Sequence, residues 1–383
     1  MGSATIFVIA LTTARMIMPG MPNMPKIPGM SNINAPTRQL TMDLTGPKKV
    51  DANSKAQCAV PAGLKLGPKV DLTIDLPRPA KESEPIKPGK EEQGEKVEFK
   101  IKTYWGCSET VPPGQPKVID SKDMTAAMKG NMVKSKEFKA TMNRMIANAD
   151  GSHAYWPGQK AKPIEKEATA PGSYELTTNY CGGTSIVFDK PQDFLAPIDL
   201  ISPGSKIDLA KAIRVEWKPV PNALAYHLTA FSGDENELIT WTSSLDPNSA
   251  PDLVSRALSK TELDTLLKNG VVIPAEKTFC YIPKGIFEAT KSPMLMLTAI
   301  GADKLQDKDG IATQVVVRST ATAMLGSMGV DMEDESADDN QSSDGNALDK
   351  ADEGMDKADD AESTVDDAKD LVNRAKNIFK RKK

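Results

Sequence analysis

The stretch Ile213-Arg-Val-Glu-Trp217-Lys-Pro-Val-Pro-Asn222-Ala-Leu-Ala-Tyr226-His-Leu-Thr-Ala-Phe231 reads as a strand, a turn and a second strand. Ile213, Val215 and Trp217 alternate with Arg214 and Glu216, the two-residue period of a strand that buries one face. Pro221-Asn222 interrupts the run as a turn, because Pro presets φ and Asn tolerates the left-handed region. Tyr226, Leu228 and Ala230 resume the period. The pattern places Trp217 and Tyr226 face to face inside a two-sheet sandwich. It turns His227 away from that core, toward solvent or a partner.

The same period recurs downstream at Leu238–Trp241, Phe279–Ile282, Met294–Ile300 and Gln314–Ala321. One helix interrupts these strands. Ser259-Lys-Thr-Glu262 is a capping box, Leu263, Leu266 and Leu267 share one face, and Gly270 ends the helix. Gln306-Asp-Lys-Asp-Gly310 is a turn signal between the last two strands. Val215-x-Trp217-x-Pro-Val-Pro-Asn-Ala223-x-x-Tyr226-x-Leu, with Leu295-x-Leu297-x-Ala299 and Tyr281-Ile-Pro-x-Gly285, resembles the core hairpins of fibronectin type III modules. The resemblance spans residues 197–325 and implies a β-sandwich used for spacing, adhesion or binding, without catalysis. The helix-bearing segment from Pro247 to Gly270 departs from that family.

Residues 38–196 form a second β-rich region. Leu40, Met42 and Leu44 alternate with polar neighbours, as do Val70, Leu72, Ile74 and Leu76. Val97, Phe99, Ile101, Thr103 and Trp105 give the clearest in-and-out alternation of the chain. Tyr174–Cys181 and Ser185–Phe188 continue the strand signals, and Met124, Met128 and Met132 mark a helical insertion over about 121–149. The expected fold class is therefore mainly β. It comprises two β-rich domains, the second fibronectin/immunoglobulin-like with a helical insertion, plus a C-terminal amphipathic helix.

Ala4-Thr-Ile-Phe-Val-Ile-Ala-Leu11, followed by Thr12-Thr-Ala14, resembles the apolar core and cleavage site of a signal peptide over residues 1–14. It is too short to span a bilayer. This reading sends the protein to the periplasm or the extracellular space. Cys58, Cys107, Cys181 and Cys280 are then disulfide candidates, with the pairing open. None stands in a C-x-x-C pair, so zinc and thioredoxin-like spacing are absent. Residues 15–37 are a Met/Pro-rich linker. Within it Met18-x-x-Met21-x-x-Met24 offers thioethers of the kind that select Cu(I).

The last part of the chain changes character. Residues 331–370 hold seventeen acidic and three basic residues, and the final thirteen residues hold six basic ones. Residues 326–346 read as a disordered acidic linker. Over 347–383 Ala351, Ala358, Val365, Val372 and Phe379 recur every seven residues, as do Ala347, Gly354, Ala361, Ala368 and Ala375. This is a charged amphipathic helix capable of weak self-association. Its basic end offers peripheral contact with an anionic membrane.

Chemistry is sparse. The chain has two histidines, His153 and His227, and a net charge of −4. It shows no phosphate loop, nucleophile elbow or complete calcium loop. No basic field points to nucleic acid. Tyr104-Trp105 and Tyr155-Trp156 could stack on sugars. The expectation is an exported structural or binding protein of the cell envelope, without cofactor or catalysis, that contacts a protein or an envelope polymer. The alternatives are an enzyme with its site in 38–196, or Cu(I) handling through the Met-rich arm.

Overall fold

The apolar run at the start of the chain is not a peripheral segment. Thr5–Ile17 forms strand β1 in the interior of the largest sheet. The computed structural model describes residues 5–17, 34–76, 99–123, 151–158, 164–204, 207–234, 236–246, 253, 255–290 and 292–326. Further strands in the first half are β2 (Thr37–Gly46), β3 (Ala56–Ala59), β4 (Lys69–Asp71), β5 (Thr73–Ile74), β6 (Lys100–Trp105), β7 (Lys117–Asp120), β8 (Ser152–Trp156), β9 (Gly172–Thr178) and β10 (Gly183–Phe188). The second half contributes β11 (Leu200–Ser202), β12 (Ile213–Trp217), β13 (Ala225–Gly233), β14 (Glu237–Thr242), helix α1 (Lys260–Lys268), β15 (Ile273–Pro274), β16 (Phe279–Ile282), β17 (Met294–Ile300), β18 (Lys304–Lys308) and β19 (Ile311–Met324). The protein is mainly β, as its alternating patterns require.

β1 pairs in parallel with β19 from Thr5↔Ile311 to Ile17↔Ala323, and antiparallel with β2. Phe7, Ile9 and Leu11 point into the core, where they meet Leu44, Met42 and Leu40. The intervening Ile6, Val8 and Ala10 are half-buried. A strand flanked on both sides and partly covered on both faces needs a continuous apolar run. That need is met by the composition that also resembles a signal peptide. Cleavage after Ala14 would cut through β1, so residues 5–14 serve as a structural strand. Arg15–Ile17, read as linker, also belong to β1.

The large sheet runs β5-β8-β2-β1-β19-β17-β13-β14-β6-β7, with β15 beside β13 and β18 beside β19. Strands from both sides of the expected boundary at residue 197 thus share one sheet, and a single hydrophobic cluster reaches from Phe7 to Leu325. The separation into residues 38–196 and 197–325 is overridden by long-range pairing, chiefly of β1 with β19 and of β6 with β14. Two smaller sheets complete the interior: β10-β9-β3-β4 and β11-β12-β16.

Trp217 on β12 and Tyr226 on β13 are fully buried and meet across the two sheets. Their ring centroids are 5.0 Å apart at 65°, so the contact is edge-to-face rather than stacked. The Tyr226 hydroxyl accepts a hydrogen bond from the Val220 N–H at 2.9 Å, and Asn222 takes the positive φ of the turn. The sequence predicts only a turn where β18 forms, because its largely exposed, charged residues show no apolar alternation. β18 makes a hairpin with β19 across Asp309-Gly310, where both residues have positive φ, as a tight two-residue turn requires. Lys304 Nζ and Gln306 Nε2 donate to the Val187 and Ser185 carbonyls of β10 at 2.8 and 2.7 Å, which protects that sheet edge. β6 lacks the expected clean alternation: all six residues are half-buried, since the strand lies one place from the sheet edge. The helical insertion over 121–149 lies outside the described residues beyond Asp123. So do the acidic linker beyond Gly326 and the C-terminal helix.

The other face of the large sheet is partly covered by residues 253–274. Ser259 caps α1, its hydroxyl accepting from the Glu262 N–H. Leu253, Leu258, Leu263, Val271 and Val272 pack on Ala225 and Ile300. This layer is locked by Arg318 and Asp303, whose side chains are each 1% exposed. Arg318 Nη1 and Nη2 donate to the two Asp303 oxygens at 2.6 and 2.8 Å, and Nη2 also donates to the Arg256 and Leu253 carbonyls. Asp303 in turn accepts from the Val317 and Leu258 N–H groups. Every strong valence of this buried pair is used, the condition under which burying two charges is tolerated. Asp303→Ala leaves a buried guanidinium and should lower unfolding stability by about 3–5 kcal/mol in urea titration. Lys211→Ala, which removes an exposed pair with Asp208, should leave the midpoint unchanged.

Candidate functional site

Among the described residues, the places that gather polar or aromatic side chains include these three. The first is centred on His153. β8 lies between β2 and β5, and the pairing brings Asp43 and Asp75 to either side of the ring. His153 Nδ1 stands 2.7 Å from Asp75 Oδ2, and Nε2 stands 2.9 Å from Asp43 Oδ2. Tyr155 stacks beside it at 5.4 Å and 20°. The two carboxylates, Asp43 foremost, push the imidazole up from 6.5 to about 9 despite its partial burial. At neutral pH it is a cation that clasps three strands. Both ring nitrogens are occupied by carboxylates, so the ring cross-braces β8 with β2 and the residues after β5.

The second is an open cleft of about 760 Å³. Asp51, Lys55, Lys69 and Asp71 line it together with Leu72, Ile74 and Leu76. Asp51 accepts from the Asn53 N–H and the Ser54 hydroxyl of its own turn, and Lys69 Nζ donates to Gln57 at 2.7 Å. Two of its charged groups are therefore committed to local bonds.

The third is the outward face of β11-β12-β16. Register places Arg214 opposite Tyr281 and Glu216 opposite Phe279. The Arg214 guanidinium lies 4.7 Å from the Phe279 ring centroid and 5.8 Å from that of Tyr281. It donates to Glu216 at 2.9 Å and to the Tyr281 hydroxyl at 3.2 Å. Lys277 Nζ sits 5.5 Å from the Phe279 centroid. Phe279 is 37% exposed, and Ile201 on β11 is 57% exposed. This is an aromatic surface pre-ordered by cations, of the composition that dominates protein contacts.

Of the cysteines, Cys107 and Cys280 form a disulfide between the segment after β6 and strand β16. Cys58 and Cys181 are free thiols. Burial pushes Cys58 up to about 12 and also raises Cys181, so neither has thiolate character at neutral pH. Met18, Met21 and Met24 lie outside the described residues. Trp217 and Tyr226 are core residues. Tyr104 and Trp156 pack against the core, which leaves Trp105 and Tyr155 half-buried on the opposite face. His227 does face away from Tyr226, but it is only 5% exposed, because neighbouring structure covers that face. Its Nε2 lies 3.0 Å from the Thr242 hydroxyl, and burial lowers it to about 4. It is a buried neutral imidazole rather than a surface group. Single-strand reading missed the Arg214 cluster, since the alternation marks these residues as outward without showing which of them meet. Comparison with family models, with curated proteins and with solved structures finds no match to this chain.

The His153 brace has a definite pH signature. The folded state binds the proton more tightly than the unfolded chain, so its contribution is complete below pH 6.5 and is lost as pH rises through about 9. Urea midpoints of the native protein should fall over that interval, and His153→Gln should flatten the fall. Parallel curves for the two proteins would contradict the assignment.

Proposed function

We propose that this chain is a non-catalytic binding or scaffold protein of an oxidising compartment, in the cell envelope or outside the cell. In it residues 197–325 provide a fibronectin type III-like sandwich whose larger sheet is extended by β1 and β6. The strand order supports the module: β11-β12-β16 faces β14-β13-β17-β19, with Trp217 and Tyr226 between the layers. The Cys107–Cys280 disulfide supports the compartment. Among the described residues no helix is long and apolar enough to cross a membrane. The outward face bearing Arg214, Phe279 and Tyr281 carries the functional reading. Its occupant is a protein surface that offers apolar side chains to Ile201 and Phe279 and carboxylates to Arg214 and Lys277. Stacking on the rings fixes the guanidinium in advance, so less side-chain entropy is lost on contact.

Two measurements test this. Alkylation and mass spectrometry of protein recovered from its native source should find Cys107 and Cys280 joined, the buried Cys58 modified only after unfolding, and the half-exposed Cys181 as a free thiol. Reduced Cys107 and Cys280 would remove the oxidising compartment. A photo-crosslinking residue at position 279 in intact cells should give a discrete protein adduct, abolished by Arg214→Glu, while the same residue at exposed position 187 gives none. Equal labelling at the two positions, or labelling at 279 that survives Arg214→Glu, would remove the docking surface.

A further inference from the structure

The pairing registers show an arrangement on the large sheet that no local motif reveals. On the face opposite the Trp217 core, one cross-strand row reads Met16, Thr322, Met296, Thr229, Thr242 and Trp105 across six strands. The next row reads Met324, Met294, Phe231, Thr240 and Thr103. All of these residues are half-buried, in contrast to the buried Leu295, Leu297, Ala321 and Ala323 that alternate with them. Neither row carries a charged side chain over these positions. The covering layer formed by Leu253, Leu258, Leu263, Val271 and Val272 packs instead on Ala225 and Ile300, further along the same strands.

We propose that this face holds a soft-metal site in which the thioethers of Met294, Met296 and Met324 bind a monovalent copper ion, with Met16 flanking them. Met294 and Met324 are directly opposite one another on β17 and β19, and Met296 is two residues along β17 on the same face. Directly opposite Cβ atoms lie about 4.5–5.5 Å apart and diagonal neighbours about 7–8 Å. A methionine side chain has three rotatable bonds, so three sulfur atoms can converge above such a triangle. Thioethers are soft donors that select Cu(I), and the absence of carboxylates from both rows disfavours the hard divalent cations. Met16 stands across Thr322 from Met296, within the same patch. His227 lies one row further along the face, opposite Thr298, with a ring nitrogen engaged by Thr242. It is not a member of the set.

The site differs from the Met18, Met21 and Met24 repeat, and the two can be separated. Cu(I) would be titrated anaerobically into the full chain against a chromophoric Cu(I) chelator. The native protein and a Met18→Leu/Met21→Leu/Met24→Leu variant should both withdraw copper from the chelator. A Met294→Leu/Met296→Leu/Met324→Leu variant, which conserves volume, should lose more than ~10-fold in affinity, since even outer-shell changes at metal sites cost about 10–100-fold. In ¹³C-methyl methionine spectra, redox-inert Ag(I) should shift the methyl signals of Met294, Met296 and Met324, which reports the site independently of how well the variant folds. Absence of competition by the native protein would overturn the proposal. So would unchanged affinity in the sheet variant, loss confined to the arm variant, or Ag(I) shifts that leave these three methyls in place.

Discussion

The parallel pairing of β1 with β19 is the constraint on which the architecture rests. It is the longest ladder among the described residues and joins residues 306 positions apart, from Thr5↔Ile311 onward. β19 carries β1 along one side, and its other side is divided between β17 and β18. The strand therefore joins the β1-β2-β8 wing to the β17-β13-β14 wing. Without β1, Phe7, Ile9 and Leu11 would leave the core, and the backbone groups of β19 and β2 along a sheet interior would lose their partners. Thr13 and Ser319 reinforce the junction: their hydroxyls donate to the Leu195 and Ala196 carbonyls as the connecting segment crosses the sheet.

The polar resources of the molecule are distributed around this apolar frame by burial. The deepest ion pair among the described residues, Arg318 with Asp303, is fully hydrogen-bonded, whereas the buried Trp217 Nε1 and the Thr184 and Thr313 hydroxyls have no partner among those residues. Half-exposed groups, such as His153 between Asp43 and Asp75, brace neighbouring strands. On the outward face of β11-β12-β16, charge and aromatic surface are accessible together at Arg214, Phe279 and Tyr281. That segregation leaves the Arg214 cluster as side chains already held in place on a packed frame.

The local parts of this fold were legible in the sequence. β12, β16 and β17 have the limits that their alternation predicts, and the Ser259 box starts α1 where a cap is needed. What was not legible follows from distance along the chain. Ala4–Leu11 has the composition of an export signal, and pairing with β2 and the distant β19 makes residues 5–11 a strand. The boundary at residue 197 followed the change in pattern, whereas the sheet crosses it. His227 alternates outward correctly, yet its burial depends on the fate of that face. The candidate sites share this limit. Arg214 with Phe279 and Tyr281, and Met324 with Met294, become neighbours through inter-strand register, which hydrophobic periodicity does not encode.

The Cys107–Cys280 bond joins positions 173 residues apart, one in the segment after β6 and one in β16. A single proteolytic cut anywhere between them would open the backbone without releasing either product, because the bridge keeps both pieces in one covalent molecule. Under non-reducing electrophoresis such a nicked chain would keep its full mass, and only a thiol reagent would separate the halves. Peptide-bond integrity and molecular integrity are thus uncoupled over nearly half the chain.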